Sequence, residues 1–262
     1  MAYNYLHTER RGDVGLLVLD NVAAHNALRT ETLQEICQAV DELIAATEVR
    51  AIVFAADGRH FCAGADFAFL EQLTTLPAGT VTDQIYGPFQ GAVRRIFRST
   101  KPTVAAIDGA AVTVGCELAL ACDFRVVTER ATLQESWIKV GLLPALGGMY
   151  LLPRLVGLAR ANEMVLRGRG ISGREAVQFG LATELVEPDQ LRDRAVALAS
   201  ELAAMPARAY AQAKDGLQRG LDSTIDREWS AASNAQATLI GSAEFAAAVR
   251  RISGASGTSQ RP

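Results

Sequence analysis

Short β-branched runs alternate with amphipathic stretches through the first half of the chain, and this rhythm restricts the fold more than any other feature. Val14–Leu19 and residues 50–55 read as buried strands. Between them Leu33, Ile36, Cys37, Val40, Leu43 and Ile44 recur at helical spacing. A second cycle puts Ile85, Phe89, Val93, Ile96 and Phe97 on one helical face ahead of a strand at Thr103–Ile107. A third runs from a helix around residues 115–121 into a strand at 124–127. Repeated strand, helix and strand predict a mixed α/β core.

The second half changes character. Ser172 and Glu175 have the spacing of a capping box, and Gly180 stands where a left-handed residue would end that helix. Pro188 and Pro206 each head a new helical pattern, where a missing N–H does no harm. The chain is then Ala-rich and almost strandless. The expected organisation is an α/β core carrying the site over residues 1–190, a helical region for oligomerisation over 191–252, and a flexible tail over 253–262.

Residues 103–122 are apolar enough to imitate a membrane span, but Asp108 and Glu117 would lie near its middle at a few kcal/mol each. A buried strand, turn and helix fit better, and no membrane association is expected. With 26 basic against 29 acidic residues the net charge is -3, so no basic field exists to hold a nucleic acid. Cys37, Cys62, Cys116 and Cys122 sit in apolar stretches without ligand spacing, and with only three histidines no metal site is expected. Reduced thiols and a polar start without an apolar core segment point to the cytoplasm.

Two places carry candidate chemistry. Glu117 has Thr113, Val114, Leu120 and Ala121 as its helical neighbours, none of them charged. A carboxyl on an apolar helix face would have a raised pKa suited to proton transfer; the alternative is an ion pair with a distant arginine. The second place is residues 61–66, Phe-Cys-Ala-Gly-Ala-Asp, between a strand and a helix. Small residues and free N–H groups there suit an oxyanion, and the alternative is an ordinary turn with Asp66 as helix cap.

Together with His25-Asn26-Ala27-Leu28, residues 101–109, residues 115–119, Gly141-Leu142-Leu143-Pro144 with Gly147-Gly148, and Leu155-Val156-Gly157, these segments resemble the enoyl-CoA hydratase/isomerase family, the crotonase superfamily. The resemblance implies a spiral of ββα turns with a helical C-terminal region, assembled as a homotrimer or homohexamer. It implies an acyl-CoA thioester as substrate, with no cofactor beyond the substrate's own CoA. The thioester oxygen, as it becomes an enolate, would lie between the backbone N–H groups of Ala65 and Val114, where Thr113-Val114 replaces the usual Gly-Gly. The CoA moiety would run along Ala24, His25, Ala63, Ala65, Asp66 and Phe67. His25 could reach a phosphate in a loop that lacks the basic residue of many relatives.

The sharpest departure is at Trp137. Hydratases of this family use two glutamates; Glu117 matches one, and the position of the second is held by Trp137. An indole cannot exchange a proton at neutral pH. It fills core or walls the acyl pocket. Glu135 stands two residues away, on the same side if the stretch is a strand, and is the candidate substitute for that carboxylate; the aspartate that other relatives place eight residues on is Ala145 here. The expected activity is hydration of a 2-enoyl-CoA with one glutamate. The alternatives are a one-base enoyl-CoA isomerase and an acyl-CoA-binding protein with weak catalysis.

Overall fold

The computed structural model describes residues 3–256. Leu6–Arg11 (β1) and Val14–Leu19 (β2) form an antiparallel hairpin. Every residue of β2 is buried, as in a strand covered on both faces. Thr30–Ala45 (α1) buries Leu33, Ile36, Val40 and Leu43 and leads into Ala51–Ala56 (β3), parallel to β2. Phe67–Leu73 (α2), Ala78–Gln84 (α3) and Gln90–Phe97 (α4) precede Thr103–Ile107 (β4), which pairs parallel with β3. Then come Ala110–Val112 (β5), Val114–Ala121 (α5), Phe124–Thr128 (β6) and Thr132–Gln134 (β7). Gly148–Val156 (α6), Leu158–Leu166 (α7), Gly170–Ser172 (β8), Gly173–Gln178 (α8), Glu184–Val186 (β9) and Leu191–Ala203 (α9) follow.

The strands form a six-stranded sheet in the order β1-β2-β3-β4-β6-β9 and a three-stranded sheet in the order β5-β7-β8. The expected capping box closes at α8: the Ser172 hydroxyl accepts from the Glu175 N–H, and a Glu175 oxygen accepts from the Ser172 N–H at 2.9 Å. Two details differ from the sequence expectation. The helical face expected across residues 85–97 begins as a π-helical turn, Ile85–Phe89, around Pro88, whose ring has no N–H for a regular ladder. The three-residue strands β8 and β9 are too short to show any alternation.

The described residues form two compact units, one up to Leu202 and one from Ala203 on. The break falls at Ala203, the last residue of α9. All of α9 but Ala203 belongs to the first unit, and it buries Ala195, Leu198 and Ala199. In the second unit Ala207–Gly220 (α10) packs on Ile225–Ile240 (α11), followed by Ala243–Ser256 (α12). Residues 253–256 of the expected tail are therefore helical, and 257–262 lie outside the described residues. No helix among the described residues is long and apolar enough to cross a membrane.

Candidate active site

The segment before α2 is held on both sides. Cys62 donates to the Ala110 carbonyl at 2.8 Å and accepts from Val112 N–H at 3.0 Å, which docks the segment on β5. On its other side Leu28 N–H donates to Gly64 O and Asp66 N–H donates to Leu28 O, each at 2.8 Å, while Ala63 N–H donates to His25 O at 3.0 Å. Ala24, His25, Ala63, Ala65, Asp66 and Phe67 are thereby brought into two adjoining loops. His25 is exposed and meets His60 edge to face at 5.4 Å between ring centroids. Burial lowers the His60 pKa, with His25 and Arg59 adding to the effect. Asp66 has the capping role: it accepts from Phe69 N–H at 2.9 Å, which lowers its pKa, and pairs with Arg29 at 3.0 Å. Phe67 is exposed beside it.

Gly64 lies at φ +105, and a Cβ there would come within 2.4 Å of Thr113 Oγ1. That close approach presses the Ala65 loop onto the turn entering α5. Thr113 itself lies at φ 48, a region a β-branched residue rarely adopts, and it is pinned by its N–H to Gln134 O at 2.8 Å. Val114 is the first residue of α5, so its N–H has no carbonyl within the helix. Neither it nor the Ala65 N–H is among the donors of the turn and loop hydrogen bonds of the described residues. Gly64→Ala should separate the two loops and cut turnover about 10²-fold, the scale of effect expected of a misplacement of about 1 Å. Steady-state kinetics on the folded variant would check this, and an unchanged kcat/KM would refute the role of the close approach.

Glu117 follows one turn into α5 and is 1% exposed. Its Oε1 accepts from Leu146 N–H at 2.9 Å and from Gly148 N–H at 2.8 Å, while its Oε2 has no partner. A Cβ on Gly148 would stand 3.1 Å from Oε1, so a glycine lets the backbone reach the carboxyl. Among the described residues no arginine pairs with Glu117, and the hydrogen bonds to its Oε1 come from backbone N–H groups. Burial pushes its pKa up to about 7, against the pull of the two N–H groups.

Leu146 also lines an apolar cavity of about 980 Å³, together with Ala65, Trp137 and Ala145. Phe69 and Phe89 stack at 5.4 Å in its wall, and among the described residues Glu71 and Thr74 are the charged or hydroxyl side chains on it. Glu117 is not itself on that lining; it is tied to it through the Leu146 backbone. Trp137 is 8% exposed, so it both fills core and walls the cavity.

Residues 9–251 match the family model described as enoyl-CoA hydratase/isomerase. The chain belongs to that family. Crotonyl-CoA hydratase of Syntrophomonas wolfei is 31% identical over 88% of this chain and 87% of its own length. Short-chain-enoyl-CoA hydratase of Clostridium acetobutylicum is 29% identical over 86% and 85%. The crystal structure of enoyl-CoA hydratase from Mycobacterium smegmatis superposes with a TM-score of 0.86 at 28% identity, covering 96% of this chain and 97% of that one. The fold is that of the crotonases, as the sequence motifs imply.

Sequence reasoning missed several participants. The two N–H donors to Glu117 come from Leu146 and Gly148, some thirty residues away, and only the Gly147-Gly148 pair marked that loop. The sequence puts Glu135 two residues from Trp137; the structure buries it completely, near Glu117 and Cys116. His7, Asp20 and Asp57 also converge, with His7 Nδ1 3.9 Å from either carboxylate, but Asp57 is already paired with Arg192 at 2.7 Å. That cluster reads as an ion-pair group.

Proposed function

We propose that the chain acts on an acyl-CoA thioester through an enolate, and that its reaction is hydration of a 2-enoyl-CoA with Glu117 as the one proton-transfer carboxylate. The observation that carries this reading is the state of Glu117: a buried carboxyl with a pKa of about 7, one oxygen fixed by two backbone N–H groups and the other free. It stands three residues from the Val114 N–H, a rise of about 4.5 Å along the helix. That spacing suits an oxyanion on one turn and a proton transfer to the acyl carbons from the next. The Ala65 and Val114 N–H groups receive the thioester oxygen as charge develops, and losing one such donor costs about 2.7–4 kcal/mol.

The CoA moiety follows Ala24, His25, Ala63, Asp66 and Phe67, with His60 beside His25. The acyl group enters the apolar cavity against Trp137. Its volume is near the top of the roughly 300–1,000 Å³ range that encloses a drug-sized ligand. Relatives bearing the names crotonyl-CoA hydratase and short-chain-enoyl-CoA hydratase support hydration. The indole at Trp137 favours a second reading, a one-base isomerisation in which Glu117 removes a proton from one carbon and returns it to another. Parallel assays with crotonyl-CoA and a 3-enoyl-CoA separate the two. Binding without turnover of either would leave only an acyl-CoA-binding protein.

Calorimetry should find an acyl-CoA bound at least about tenfold more tightly than its free acid, a difference of about 1.4 kcal/mol. Equal affinity would sink the CoA assignment. The proposed assembly is a homotrimer or homohexamer in the cytoplasm, supported by Ile225, Trp229, Ile240, Phe245, Val249 and Ile252, all exposed on the second unit. A stable 27.9 kDa species by light scattering would contradict it.

A further inference from the structure

Glu135 is buried to 0% exposure at the end of β7, and neither of its oxygens accepts a hydrogen bond among the described residues. The pairing of β5 with β7, which sets Val112 opposite Gln134, brings it against α5. There it is close to the Cys116 thiol, to Glu117 and to the Trp137 indole. Four buried polar atoms meet here with no completed partner: Glu117 Oε2, both Glu135 oxygens and Trp137 Nε1. The indole N–H lies near enough to lower both carboxyls, yet closes a hydrogen bond of ordinary length and angle with neither.

Counting donors and acceptors decides the charge state. Were both carboxyls ionised, two charges would share one indole N–H and one weak thiol donor, with no lysine or arginine against either among the described residues. A buried, uncompensated carboxylate takes up a proton instead. With Glu135 neutral the cluster holds three donors, its own O–H, the indole N–H and the Cys116 S–H, for the free Glu117 Oε2 and the Glu135 carbonyl. Burial and the nearby Glu117 charge both raise the Glu135 pKa well above the usual carboxyl range, in keeping with this assignment.

We propose that Glu135 is a positioning residue for Glu117: an uncharged carboxylic acid whose O–H, beside the Trp137 indole N–H, serves the free Oε2 and stabilises Glu117 in its ionised, proton-accepting form. This rests on Glu117 being the proton-transfer group. Glu135 touches no reacting atom and gives up no proton in the cycle. It supplies to Oε2 what Leu146 and Gly148 supply to Oε1. The titratable groups that bear on the pair are Glu117 and Cys116 from α5 and Glu135, the residue that follows β7.

The test is an infrared pH titration of the wild-type protein, E135Q and E135L, which needs no turnover. At two units above the Glu117 midpoint of about 7, wild-type protein should retain the carbonyl band of a protonated carboxylic acid that E135Q lacks. E135L removes the donor and should raise the Glu117 midpoint by about one unit, since the ionised form loses a hydrogen bond. E135Q, whose amide can donate, should bring it back. The acid limb of kcat/KM should move with the midpoint. If E135L does not fold, Met replaces Leu. A wild-type spectrum without the acid band, an unmoved midpoint in E135L, or failure of E135Q to restore it would each overturn the proposal. Retained turnover in Glu117→Gln would sink the proton-transfer reading alone and leave the infrared assignment readable.

Discussion

Glu117→Gln should lose turnover by about 10²-fold or more while keeping acyl-CoA affinity, because it removes the proton acceptor and leaves the two N–H donors and the cavity in place. The same substitution should stabilise the protein at high pH. Burial raises the folded pKa of Glu117 to about 7 from an ordinary 4.5, so its ionised form is less favourable in the folded than in the unfolded state. Stability from this group is fully present below the unfolded pKa and is lost as pH rises through the folded one. At pH 8 wild-type protein has lost it, on the order of 1–3 kcal/mol, and the glutamine variant has not. Melts at pH 5 and pH 8 should show the variant's advantage growing with pH. Activity should rise with pH through about 7 if Glu117 works as a base. An active variant, or one destabilised equally at both pH values, would return Glu117 to a purely structural role.

How far the sequence exposes this site depends on whether the information is local. The apolar neighbours of Glu117 lie within one helical turn, so its burial follows from spacing alone, and the structure leaves it 1% exposed. The capping box at Ser172 and Glu175 and the core strands are local in the same sense. What completes the site is not. The donors to Glu117 arrive on a loop from Leu146 to Gly148 whose approach is set by α6 and α5 packing together. Glu135 reads in sequence only as a carboxyl two residues from the position of the missing glutamate. Its burial is a product of the β5 and β7 pairing, which no local pattern encodes. Phe69 and Phe89 meet across a π-helical turn that a simple helical period cannot represent.

The second large effect concerns Trp137, the position at which the resemblance puts a hydratase's second glutamate. W137E alone would set a third carboxyl beside Glu117 and Glu135, and mutual repulsion would keep at least one more of them protonated. The informative variant is therefore W137E combined with E135Q, which holds two carboxyls and keeps a donor at residue 135. If the absent carboxylate limits hydration, wild-type turnover of crotonyl-CoA is weak and the double variant should raise it by at least about tenfold, the low side of what a positioned acid or base contributes. Volume opposes the gain: cutting a buried Trp to Ala costs about 3–5 kcal/mol, and a glutamate refills only part of the space. Thermal melts must accompany the assay, and adding E117Q should abolish any gain. Rapid hydration by the wild-type enzyme, or a folded double variant with no increase, would mean that the indole is not what limits the reaction. Rapid wild-type hydration would assign the second proton transfer to Glu135, or to Glu117 acting twice by taking a proton from the attacking water and returning it to the enolate carbon.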